Sequence, residues 1–120
     1  MRHFHIIILL TYACAMGIGQ ILFKYVAIHG VDPALPSAQR WLSLATNVTF
    51  LFAVAFYGVL TLAWIWILSF IPLSKGYPFT VMSIAVAGIG SHALFGESLS
   101  PRFFIAVGFI TLGLLVLSWD

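Results

Sequence analysis

Apolar residues run along this chain in four long stretches, at about 4–28, 41–70, 76–95 and 101–119, and polar residues interrupt them at few places. Each stretch matches or exceeds the roughly 20 residues that carry a helix across the hydrocarbon core of a bilayer. The pattern therefore predicts an all-α membrane protein, with four transmembrane helices in one domain spanning 1–120. The breaks between stretches carry turn chemistry. Residues 29–40 (HGVDPALPSAQR) hold two prolines, a glycine and an aspartate and read as the one substantial loop. Pro72 cannot continue the second helix, so 71–75 is a tight turn, and Pro101 suits the first position of the fourth helix. The second stretch is longer than the hydrocarbon needs, which predicts a tilt or a first few turns lying at the interface. The N-terminus begins like a signal peptide, but its apolar run continues to about Ile28 and three more stretches follow, so it reads as a retained helix.

Composition agrees with a bilayer as solvent. Hydrophobic residues make up 62% of the chain and charged residues 7%; mean hydropathy is +1.13. A soluble domain is roughly half apolar. The basic residues are scattered singly, which excludes a nucleic-acid surface. Cys14 is the single cysteine, so no internal disulfide can form, and in its apolar run it behaves as a small hydrophobe. Trp41 and Trp119 stand at span ends, where indoles favour the headgroup zone. The positive-inside count is nearly balanced, with Arg2 and Lys75 on one side and Lys24, Arg40 and Arg102 on the other. That leaves open dual insertion, giving an antiparallel dimer, or orientation by a partner or lipid.

Polar atoms within the spans are the candidates for function, because hydrocarbon makes them costly. Gln20 and Lys24 are four residues apart and share a helix face with Met16, flanked by Ala13 and Gly17. Lys24 is near enough to the helix end for its ammonium to snorkel to the headgroups; alternatively, Gln20 and Lys24 line a polar groove and hold an anion such as a phosphate. Gln20 is too deep to snorkel and needs a partner on another helix or a ligand. His92 and Glu97 would lie on different faces of an unbroken helix, and Glu97 reads as an interfacial charge paired with Arg102. His3 and His5 form an HxH without a third ligand, so no metal site is expected. There is no paired-carboxylate site, no Ser/His/Asp set and no glycine-rich phosphate loop, and the chain reads as a non-enzyme without cofactor. On the fourth helix, Ala106 and Gly113 flank Phe109 and Ile110 on one face. Small residues at that spacing admit a close partner helix. Four helices enclose too little space for a solute path, which further predicts a dimer.

Several short motifs together resemble a known family. They are Gly19-Gln20 with Lys24 (GQxxxK), Ile71-Pro72, Tyr77-Pro78, and Glu97 with Ser100-Pro101-Arg102 (ExxSPR), followed by GFITLG. In this order they resemble the small-multidrug-resistance branch of the drug/metabolite transporter superfamily, and within it the small flippase subunits of undecaprenyl-phosphate-aminoarabinose. The resemblance covers nearly the whole chain apart from 29–40. It implies the small drug/metabolite transporter fold, a bacterial inner-membrane location, and a polyprenyl-phosphate-linked sugar or aminosugar moved between leaflets for lipopolysaccharide or cell-envelope modification. It implies a homodimer or a heterodimer with a second four-span subunit. Gln20 and Lys24 would meet the phosphate, Tyr77 and His92 the sugar, and Glu97 and Arg102 complete the expected substrate-binding set. The chain departs from the multidrug exporters of this branch at two positions. Met16 stands where they carry a proton-exchanging glutamate, and Thr80 where they carry a tryptophan. The other readings are a multidrug or metabolite exporter using Glu97 or His92 for proton coupling, and a non-transporting accessory subunit of a glycosyltransferase or transporter complex.

Overall fold

The computed structural model of the protein describes residues 3–30 and 34–119. Arg2, counted above for orientation, and residues 31–33 of the predicted loop lie outside them. The described residues form six helices: α1 (His3–His29), α2 (Ser37–Ala45), α3 (Val48–Leu68), α4 (Leu73–Thr80), α5 (Ser83–Phe95) and α6 (Pro101–Ser118). They supply four crossings long and apolar enough for a membrane, with α4 and α5 together making the third. The fold is all-α, as the apolar pattern predicts.

Two helices differ from the expected boundaries, each for a local reason. The expected 41–70 helix is divided at Asn47. The Asn47 side-chain carbonyl accepts a hydrogen bond from the Phe50 amide at 3.1 Å, which caps α3 and separates it from the short α2. The expected 76–95 helix starts earlier, at Leu73, and is broken after Thr80. Pro78 inside α4 has no N–H for the carbonyl one turn back. The chain crosses the joint with tighter bonds three residues apart, from Val81 N–H to the Pro78 carbonyl and from Met82 N–H to the Phe79 carbonyl, both 3.2 Å. Pro72 precedes α4, Ser100 occupies the N-cap position of α6 without a side-chain cap bond, and Pro101 stands in its first turn.

Packing centres on α1, which lies against α3, α4 and α5. At one end, Leu9 of α1 meets Ile67, Ile71, Phe79 and Leu114 in the buried core. Further along α1 the side chains shrink. A methyl added at Gly17 would sit 2.6 Å from the Val86 Cβ of α5, and one at Gly19 would sit 2.5 Å from the Tyr57 ring of α3. These glycines let both neighbours approach closely, as small residues do between membrane helices. Leu114 is the buried residue of α6, so that helix is held along a narrow stripe. The whole measures 52 × 37 × 19 Å. At about 10–12 Å per helix diameter the slab is two helices thick.

Candidate functional site

The stripe of small residues on α1, Ala13 and Gly17, continues along the same face to Gln20 and Lys24. There it opens into a groove between α1, α5 and the start of α6, with a volume of about 350 Å³. Gln20, Lys24, Ser91 and Glu97 supply its polar atoms, and Ile21, Ile84, Phe95 and Phe103 much of its apolar wall. The volume is at the lower end of the roughly 300–1,000 Å³ of small-molecule sites.

Glu97 reaches this groove through the turn that ends α5. Gly96 takes the left-handed conformation, with φ 69°, that closes many helices. The Gly96 amide bonds the His92 carbonyl at 3.2 Å, and the Glu97 amide lies 3.5 Å from the Ser91 carbonyl. The reversal directs the Glu97 carboxylate to α1, where Oε1 lies 3.5 Å from Lys24 Nζ. Its partner is thus Lys24, not the expected Arg102. The reason is that Arg102 follows Pro101 into α6 and points away, exposed and outside the groove lining, whereas Phe103 faces inward. The same turn brings His92 and Glu97 together despite their spacing. His92 Nδ1 lies 2.7 Å from the Glu97 carbonyl oxygen. A carbonyl only accepts, so Nδ1 carries the proton.

Gln20 has a partner that local sequence patterns do not show. Its side-chain amide donates to the Tyr57 hydroxyl of α3 at 2.7 Å, and that hydroxyl donates to the Met16 carbonyl at 3.1 Å. Phe23 stacks on the Tyr57 ring, with centroids 4.7 Å apart and planes 8° from parallel. Gln20 is therefore fixed at the groove wall through its amide nitrogen.

The remaining expected residues are dispersed. Tyr77 lies on α4 beside Trp64, edge-on at 6.4 Å, and Trp64 in turn stacks on Tyr12. Tyr12 and Lys24 are separated by twelve residues of α1, or about 18 Å of helix, so Tyr77 belongs to the other end of the bundle. Thr80 is buried and donates to the Tyr77 carbonyl at 2.6 Å. On α6, Ala106, Phe109 and Gly113 face outward, whereas Ile110 packs on the core at Leu114.

With this geometry in place, comparison with known proteins bears on the family. No family model matches the chain, and no solved structure matches it. Curated relatives do match over nearly its whole length. A probable 4-amino-4-deoxy-L-arabinose-phosphoundecaprenol flippase subunit ArnE of Yersinia pestis (strain Pestoides F) is 28% identical over 116 residues, which is 94% of this chain and 95% of the relative. The protein of the same name from Hamiltonella defensa is 25% identical over 118 residues, covering 98% of this chain and 96% of the relative. That from Yersinia pseudotuberculosis (strain YPIII) is 29% identical over 105 residues, 85% of each. The chain is similar to these small flippase subunits over most of its length. Together with four apolar crossings, the matches bear out the resemblance drawn from GQxxxK and ExxSPR, and the protein is a multi-pass protein of the bacterial inner membrane.

Proposed function

We propose that this chain is a subunit of a flippase that moves a polyprenyl-phosphate-linked sugar or aminosugar across the inner membrane, working as a dimer with a second copy or a second four-span subunit. The observation that carries the proposal is the groove at Gln20 and Lys24. It offers the Lys24 cation and the Gln20 amide on one wall, with Ser91 and Glu97 as the other polar groups among apolar side chains. A phosphosugar head needs polar contacts, while the prenyl tail can stay in lipid. A surface groove, rather than an enclosed tunnel, suits a substrate divided in this way. The relatives' names point to the same substrate class. A proton-coupled drug exporter is less well supported, because Met16 occupies the position of the exchanging carboxylate and the groove carboxylate, Glu97, is already paired with Lys24.

The test is lipid binding by folded variants in nanodiscs, with a neutral polyprenol as control. Hydrogen bonds to ionised groups contribute about 1.5–3 kcal/mol, and about 1.4 kcal/mol is a factor of ten. Lys24→Ala should weaken binding of a polyprenyl-phosphate sugar by about tenfold or more. Lys24→Arg should retain part of the affinity, since the charge stays while the geometry changes. If Lys24 only snorkels, Lys24→Ala will leave phosphate-lipid affinity unchanged, and the groove loses its assigned role.

A further inference from the structure

The Lys24–Glu97 pair joins the last turns of the first crossing to the turn before the last crossing, and both side chains are close to half exposed, at 48% and 44%. Both residues line the groove. A buried structural clasp would be shielded from ligands; this one faces the space that a ligand enters. A phosphate approaching Lys24 must therefore displace or share it with the Glu97 carboxylate. If the ligand brings only negative charge, Glu97 is left beside a second anion, and like charges at short range oppose one another. If the ligand also carries an ammonium a few ångströms from its phosphate, that ammonium takes the place Lys24 Nζ held. Both charges of the pair are then compensated again.

Position supports this exchange. Glu97 is set by the Gly96 turn, and the His92 imidazole holds its backbone carbonyl, so the carboxylate does not depend on Lys24 alone to stay at the groove. Gln20 is likewise held by Tyr57 and not by either charge. The site can thus lose its internal ion pair to a ligand without losing its shape.

We infer that Glu97 is a specificity-determining residue that selects zwitterionic amino-sugar phosphates over uncharged-sugar phosphates, by receiving the ligand ammonium once the phosphate has taken Lys24. This rests on the placement of phosphate at Lys24 proposed above. The experiment compares two polyprenyl-phosphate sugars that differ only in a free amine against its N-acetyl derivative, bound to purified protein in nanodiscs at neutral pH. Wild type should bind the free amine at least tenfold more tightly. Glu97→Gln should erase the preference and bind the N-acetyl lipid more tightly than wild type does, because the opposing anion is gone. Glu97→Asp should keep the preference. Equal binding of the two lipids by wild type, with binding still dependent on Lys24, would overturn the role of Glu97 and leave the flippase reading standing. A Glu97→Gln variant that loses both lipids in equal measure would show a structural clasp and overturn it too. Binding of neither lipid in a Lys24-dependent way would overturn both readings together. Equal binding of the two lipids by wild type overturns the role of Glu97 even where Glu97→Gln does not fold, and Glu97→Asp then supplies the second variant.

Discussion

Tyr57 holds Gln20 at the groove wall, and nothing in the local sequence marks it for that role. It accepts from Gln20, donates to the Met16 carbonyl and stacks on Phe23. Tyr57→Phe keeps the ring and removes the hydroxyl. Each lost hydrogen bond costs about 1 kcal/mol, so the variant should unfold at lower denaturant, by roughly 1–2 kcal/mol in a reversible detergent titration. Gln20 should turn into the groove and lose its fixed orientation. Unchanged stability would mean that water or lipid replaces both bonds at no cost. Gln20 and Lys24 were recognisable in the sequence because polar atoms stand out in an apolar run. Their partners were not, because Tyr57 is 37 residues away and Glu97 lies beyond a turn whose direction depends on Gly96. Spacing along one helix shows which residues share a face, not what arrives opposite. The same gap explains Tyr77, which matched a motif but packs at the far end beside Trp64.

At the scale of elements, the four apolar stretches were plain, and the interruptions within them were less so. Asn47 is a common N-cap residue, but inside a long apolar run it is easily passed over, and the cap becomes visible only through its bond to Phe50. Pro78 was used as a family marker, and its effect on the helix appears only at the tightened joint after Thr80. Separating α2 from α3 has a physical reading. Ala38, Trp41, Leu42 and Ala45 fall at the i, i+3, i+4, i+7 spacing of one helix face, opposite Gln39 and Ser43, and no residue of α2 is buried in the protein. Trp41 is 68% and Leu42 67% exposed. Such a helix should lie in the membrane interface with that face toward lipid. In vesicles, with the other tryptophans replaced, Trp41 should fluoresce at shorter wavelength than a water-exposed indole. Lipids brominated near the headgroup should quench it more than lipids brominated at the chain end. Strongest quenching from the chain end would place α2 in the hydrocarbon.

For the whole molecule, the thin slab and the lightly held α6 make assembly the main question. Ala106, Phe109 and Gly113 face outward, and a Cβ added at Gly113 meets no atom within 4 Å among the described residues. Gly113→Leu therefore starts into open space. If this face is the dimer contact, the variant should lower the dimer fraction in detergent or bilayer by forcing the backbones apart, with thermal stability of the monomer unchanged. An unaltered dimer fraction would move the contact elsewhere. Another consequence concerns how the chain enters the bilayer at all. The third crossing, divided after Thr80 and carrying Lys75 and Pro78, is the least apolar of the four. As it leaves the ribosome it should partition into lipid poorly by itself. The already inserted α1, narrowed by Gly17 where Val86 must pass, offers it a matching surface. Its insertion should thus be assisted: in a glycosylation-reporter assay, the isolated 73–95 segment should integrate less completely than the same segment translated behind α1. Equal integration would show that the segment enters by itself, and that biogenesis owes nothing to the glycine-lined face of the first helix.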